Sequence, residues 1–251
     1  MPNYITNKDT IIFNPKWNGP LDIKLLSNYK KLVFSDYELS DNLFEKYEPD
    51  NSIFKGSKFN QEVNNLPNSL THLTFGQNFN QEVNVLPNSI THLTFGICFN
   101  QKVNNLPNSL THLTFGWKFN QEVNDLPKSL THLTFNYDFN QKIDIPFTIK
   151  YLKLDCNNSY IIDYLPDNIE ELELGCNFNL ELNNLSISIK KIAFEIDSYY
   201  EHELNCLPKF LECLQLPCSY DKKLLNISDN LKIICSKNYK YKNDYIIVSL
   251  V

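Results

Sequence analysis

Residues 59–76 read FNQEVNNLPNSLTHLTFG, and nearly the same letters return from Phe79, Phe99 and Phe119. Phe59, Phe79, Phe99, Phe119 and Phe139 are spaced by 20 residues. A fixed period of about 20 to 50 residues marks a solenoid. Each copy is then one turn of a coil, and its apolar side can be buried only by its neighbours.

Within a copy, Leu70-Thr71-His72-Leu73-Thr74-Phe75 has strand character. Alternation sends Leu73 and Phe75 to one side and His72 and Thr74 to the other. Pro67 lacks a backbone donor and belongs in the return path. Gly76, Gly96 and Gly116 follow the strand, where a turn can use positive φ, and Asn136 takes that place in the next copy. Val63, Leu66, Leu70, Leu73, Phe75 and Phe79 form the interior set of one turn.

The pattern weakens outward. Ile145-Pro146 leads to Ile149, Leu152 and Leu154, and Leu165-Pro166 to Ile169, Leu172 and Leu174. Leu185 leads to Ile189, Ile192 and Phe194, and Leu207-Pro208 to Leu211, Leu214 and Leu216. Ile227 leads to Leu231 and Ile234, with Ser236 where Phe or Leu is expected. Upstream, Leu25 leads to Tyr29, Leu32 and Phe34. The 41 residues from Phe34 to Phe75 leave room for one degraded turn around Ile53 and Gly56. The reading is a repeat solenoid resembling leucine-rich repeats: a parallel sheet on one face, extended return segments and little helix. Residues 1–20 are an N-terminal cap, 21–236 a solenoid of about eleven turns with its best repeats at 59–140, and 237–251 a C-terminal cap strand or tail.

Composition narrows the function. The chain of 251 residues carries a net charge of −6 and has no arginine. Phosphate backbones are gripped by clustered Lys and Arg, so nucleic acid is not an expected partner. No run reaches the roughly 18–20 apolar residues of a membrane helix. The N-terminus lacks the apolar core of a signal peptide, so an intracellular, cytoplasmic protein is expected. Seven cysteines without CxxC pairs fit reduced thiols.

The segments Phe59-Asn60-Gln61, Leu66-Pro67-Asn68-Ser69-Leu70 and Leu73-Thr74-Phe75-Gly76 resemble the FNIP repeat family, a short leucine-rich-repeat relative of social amoebae and giant DNA viruses. The LPxSLxxLxF core is also similar to the short repeats of bacterial effectors. Both resemblances imply a curved solenoid with a parallel sheet on one face. A viral origin would place the protein in the host cytoplasm. Family members often carry an N-terminal F-box, which implies a substrate-recognition subunit for ubiquitin ligation. Residues 1–58 contain no F-box-like start, and Leu25 to Phe34 already reads as a repeat.

Candidate contact residues come from columns of equivalent positions. His72, His92, His112 and His132 share one register, continued by Tyr151, Glu171, Lys191 and Cys213. The neighbouring Thr column continues as Lys153, Glu173, Ala193 and Gln215. After the strand, Gln77-Asn78, Ile97-Cys98, Trp117-Lys118 and Tyr137-Asp138 vary over a constant core. Trp117 and Tyr137 could lie side by side as an aromatic anchor. Cys156, Cys176 and Cys218 form a further column just after the strand. The expected partner is a protein of unspecified identity, bound without cofactor, metal or catalysis. Catalysis needs an asymmetric cluster, and a repeat makes columns of like groups. The alternatives are the ubiquitin-linked receptor and, more remotely, a metal-binding His ladder.

Overall fold

The structure is a computed structural model that describes residues 3–37, 55–244 and 247–250. The chain forms two compact units, Met1–Leu130 and Thr131–Val251. Both are stretches of parallel β-solenoid with little helix.

In the first unit, β1 (Tyr4–Asn7) and β2 (Thr10–Phe13) form an antiparallel hairpin. Then β2, β3 (Lys31–Phe34), β4 (His72–Thr74), β5 (His92–Thr94) and β6 (His112–Thr114) run parallel, each beside the next. A one-turn helix, α1 (Ile23–Leu26), is capped by Asp22, whose carboxylate accepts from the Leu25 amide at 3.0 Å, and leads into β3. Identical letters pair across strands: His72 lies opposite His92, and His92 opposite His112. The strands are only three or four residues long, because each turn has one Leu and one Phe to bury there.

Aromatic pairs carry the core. Phe75 stacks on Phe79 at 3.7 Å, Phe95 on Phe99 at 3.7 Å and Phe115 on Phe119 at 3.8 Å. Each pair faces the pair in the next turn at 5.7–6.1 Å. Phe34 makes the same contact with Phe59 at 3.8 Å, although 25 residues separate them in the sequence. Since β3 pairs directly with β4, no strand stands between them, which corrects the expected extra turn. Ile53 lies outside the described residues, while Gly56 (φ +66°) donates its amide to the Asp36 carbonyl. Among the described residues, four strands, β3 to β6, follow the hairpin in this unit and six repeat in the next, one turn short of the eleven expected.

The first twenty residues also hold half a repeat. Thr10-Ile-Ile-Phe-Asn-Pro-Lys-Trp-Asn18 aligns with His72-Leu-Thr-Phe-Gly-Gln-Asn-Phe-Asn80. Accordingly Phe13 packs tilted against Trp17 at 4.3 Å, and Trp17 stacks on Phe59 at 5.5 Å. Asn18 starts an amide ladder. Its Oδ1 accepts from the Asn60 amide, Asn60 from Asn80, Asn80 from Asn100 and Asn100 from Asn120, each at 2.9 Å. The same oxygens accept from Gln61, Gln81, Gln101 and Gln121 at 3.1–3.2 Å. The letters Phe-Asn-Gln are thus one aromatic plug and a two-donor clamp between turns.

The glycines do not serve the expected purpose. Gly76, Gly96 and Gly116 do not adopt positive φ. They stand where a side chain has no room: a Cβ on Gly96 would fall 2.1 Å from the Gly76 carbonyl oxygen, and one on Gly116 1.9 Å from that of Gly96. Close approach of backbones, not turn handedness, selects glycine there.

The second unit contains β7 (His132–Phe135), β8 (Tyr151–Leu154), β9 (Glu171–Leu174), β10 (Lys191–Phe194), β11 (Cys213–Gln215), β12 (Lys232–Cys235) and β13 (Ile247–Leu250), each parallel to the next. Its aromatic column drifts from Phe178 to Tyr200, Tyr220 and Tyr239, with rings 6.2–6.4 Å apart. The added hydroxyls of Tyr200 and Tyr239 donate to the carbonyls of Leu180 and Lys222 at 3.1 and 2.8 Å. In the last turn, Ile233 and Cys235 fill the core, rather than Ile234 and Ser236 as expected. One residue is missing between Leu231 and the strand, and a one-residue slip in a strand exchanges its faces.

Two changes in the stacking interface should separate room from bonding. Gly96→Ala forces a methyl into backbone and is expected to cost about 1–3 kcal/mol or more in urea unfolding. Asn80→Ala strands the Asn100 amide, while Gln101 keeps its bond to the Asn80 backbone carbonyl, and is expected to cost about 1–3 kcal/mol. Glu82→Ala, at an exposed neighbouring position, should lie within about 0.5 kcal/mol of the parent.

Candidate functional site

The outward side of the strands differs between the units. In the first, His72, His92 and His112 stack face to face at 4.1 and 4.0 Å, with ring planes 9° and 12° apart. Their tautomer follows from the threonines before them. Thr91 and Thr111 donate their hydroxyls to the carbonyls of Thr71 and Thr91, at 3.1 and 3.0 Å. Each hydroxyl also lies 2.8–2.9 Å from the adjacent histidine Nδ1. A hydroxyl that has spent its proton must accept, so the imidazole Nδ1 carries hydrogen. Burial, then the neighbouring His92 and Lys31, hold His72 below its ordinary pKa against the opposing pull of Asp9. Stacked parallel rings do not converge on a point. Among the described residues no group of three His, Cys, Asp or Glu side chains could hold a metal ion.

In the second unit the same positions carry charge. His132 faces Tyr151 with ring centroids at 5.4 Å. The Tyr151 hydroxyl donates to Glu173 at 2.6 Å, and Lys153 bridges Glu173 at 2.7 Å and Glu195 at 2.6 Å. Lys191 pairs with Glu171 at 3.1 Å, while Glu170 pairs with Lys150 at 3.1 Å and Lys190 at 3.6 Å. Burial opposes the Lys153 charge, but hydrogen bonds to the two carboxylates outweigh it and raise its pKa. Burial and the bond to Glu173 likewise push the Tyr151 phenol up. The mixed charges expected to meet a partner are therefore engaged with one another. Glu195, Lys150, Glu170 and Lys190 complete this lattice and were not anticipated. The signal for Glu195 was an acid at the post-strand position where three clear copies have glycine.

The cysteine column divides. Asn157 accepts from the Asn179 amide at 2.7 Å and so holds the ladder position. Cys156, just before it, is buried where other turns have Phe, whereas Cys176 and Cys218 are exposed. All seven cysteines are free thiols. Burial raises the Cys156 thiol to about 12, and a hydrogen bond to Glu195 at 3.0 Å raises Cys176 to about 11.

At the edge following the strands, Trp117 is 52% exposed in the first unit and Tyr137 55% exposed in the second. They belong to different units, so their expected pairing is not part of either unit's geometry. Gln77 and Ile97 hold the same position and are less exposed.

This architecture defines a leucine-rich-repeat-like solenoid. The FNIP Repeat family model matches residues 54–98, 99–124, 122–157 and 139–177, so the chain carries FNIP repeats over residues 54–177. It is similar to the crystal structure of CroV588, a giant-virus protein described as a circular LRR protein, at 30% identity and a TM-score of 0.62. The similarity covers 95% of this chain and 42% of that one. No curated protein matches the sequence. Among the described residues, no helix is long and apolar enough to cross a membrane.

His72 should make the first unit acid-sensitive. An unfolded histidine titrates near about 6.5. His72 titrates lower when folded, so the unfolded chain binds more protons between the two values. Stability is then full above about pH 6.5, falls as pH drops through that value, and levels off below the folded pKa. Urea midpoints at pH 8 and 5.5 test the direction. In His92→Gln, the His72 resonance should titrate closer to the unfolded value.

Proposed function

We propose that this chain is a non-enzymatic protein-interaction module, with contact residues at the post-strand edge of each unit. The observation that carries this reading is the fate of the repeated polar letters. The Asn and Gln of each Phe-Asn-Gln bond the neighbouring turn. Ser89, Ser109 and Ser129 donate to the carbonyls of Leu70, Ile90 and Leu110, and Thr91 and Thr111 to those of Thr71 and Thr91. These groups are committed to building the coil. Trp117 in the first unit and Tyr137 in the second are large exposed aromatics, and such side chains are frequent anchors of protein contacts.

Several features support the absence of catalysis. The thiols of Cys156 and Cys176 stay protonated at neutral pH, so neither is a ready nucleophile. Lys153 is held charged between carboxylates, which denies it the role of a base.

Trp117→Ala and Tyr137→Ala test the surface. With a partner captured by the parent chain, loss of an anchor should weaken binding by roughly 30-fold, about 2 kcal/mol, while the thermal midpoint stays close to the parent's. Undiminished affinity in both variants would remove this edge from the contact.

A further inference from the structure

Helix α2 (Ser159–Asp163) interrupts the repeat in the second unit. Asn158 caps it, with Oδ1 3.4 Å from the Ile161 amide, and Ile161 is fully buried. Beside it the return segment of the next turn leaves an open groove of about 370 Å³. Ile162 and Leu180 supply its apolar lining; Asp163, Glu181 and His202 supply its titratable groups, and neither Lys nor Arg lines it.

The protonation of His202 follows from its contacts. Its Nε2 lies 3.0 Å from the Asn179 carbonyl oxygen, which can only accept, so Nε2 bears the hydrogen. In the neutral ring, Nδ1 then presents a lone pair. That lone pair faces Glu181 Oε1 at 3.9 Å, beyond hydrogen-bond reach. The other Glu181 oxygen accepts from Asn183 Nδ2 at 2.6 Å, which orients the carboxylate. Two acceptors thus lie 3.9 Å apart in the groove, within reach of one bridging donor group.

We infer that this groove binds an ammonium or guanidinium group, whose N–H donors bridge His202 Nδ1 and Glu181 Oε1. Such a cation carries several donors and a positive charge, whereas a hydroxyl has one donor and no charge. Asp163 adds a second carboxylate to the lining, and Ile162 and Leu180 suit the carbon stem of a lysine, an arginine or a small amine. The same chemistry could come from a side chain of a protein or from a free small cation. The inference does not rest on the aromatic edge proposed above.

NMR of the His202 imidazole in the full chain at pH 7.5 provides the test. His202 is the one histidine outside the Thr-His-Leu-Thr strands, so its signal is assignable with His202→Gln. Ethylammonium and methylguanidinium chloride should shift that signal saturably, and tetramethylammonium chloride, a cation without N–H donors, should not. Glu181→Gln should weaken the response at least tenfold; Glu181 is two-thirds exposed, so the variant should fold. Capped Gly-Lys-Gly and Gly-Arg-Gly peptides separate the sources. Tighter binding than the free amine assigns the site to a protein side chain, and weaker binding assigns it to a free cation. An absent or non-saturating response to both N–H cations, an equal response to tetramethylammonium, or an undiminished one in Glu181→Gln would overturn the inference. Trp117→Ala should leave the response unchanged, so this result and that for the aromatic edge are read separately.

Discussion

The Asn80 side-chain oxygen accepts from the Asn100 amide and the Gln101 side chain in the next turn, and this contact recurs from Asn18 onward. A strand of three residues offers few ladder bonds, and a solitary turn orders about 20 residues for little burial. The amide clamp adds directional bonds and fixes the register at which the Phe pairs meet. A slip by one residue would break both together, because the clamp and the aromatic plug are adjacent letters. Stability in such a coil resides mainly at the interfaces between turns.

That dependence explains where the sequence can change. Phe gives way to Tyr in the second unit where a carbonyl can take the hydroxyl, as at Leu180 and Lys222. A carboxylate can replace a backbone carbonyl at the interface. Asp36 Oδ1 accepts from the Ser57 and Gln77 amides, and Asp155 Oδ1 from the Asn177 amide. In both cases a glycine of the next turn, Gly76 or Gly175, leaves room for the carboxylate. Seventeen residues intervene between Tyr37 and Lys55, yet Phe34 still meets Phe59. The Phe34–Phe59 contact survives the longer interval because the interface groups on either side stay in register.

The outward face is a by-product of the same repetition in one unit and a separate construction in the other. Copying a turn copies its histidine, which yields a column stacked at about 4 Å, and at His72 burial first and then the neighbouring His92 hold the ring below its ordinary pKa. In the second unit the letters diverge into alternating charge: Lys150, Glu170, Lys190, then Glu171 and Lys191. Exposed pairs of this kind are each worth little. Their consequence is a face whose charges are already answered, leaving distinctive chemistry at the edges and in the groove beside α2.

The sequence alone determined the period, the parallel sheet, the interior letters from Val63 to Phe79 and the columns that line up between turns. These follow from local alternation and exact repetition, which stacking converts into geometry without further information. The reasons for individual letters were decided in three dimensions. Glycine at position 96 answers to the Gly76 carbonyl above it, and Trp17 is legible as a repeat residue only once it stacks on Phe59. Lys153 reaches Glu195 over 42 residues, and His202 meets Glu181 and the Asn179 carbonyl on the preceding turn. Those relations depend on neighbours distant in the chain, and alternation within one turn says nothing about them.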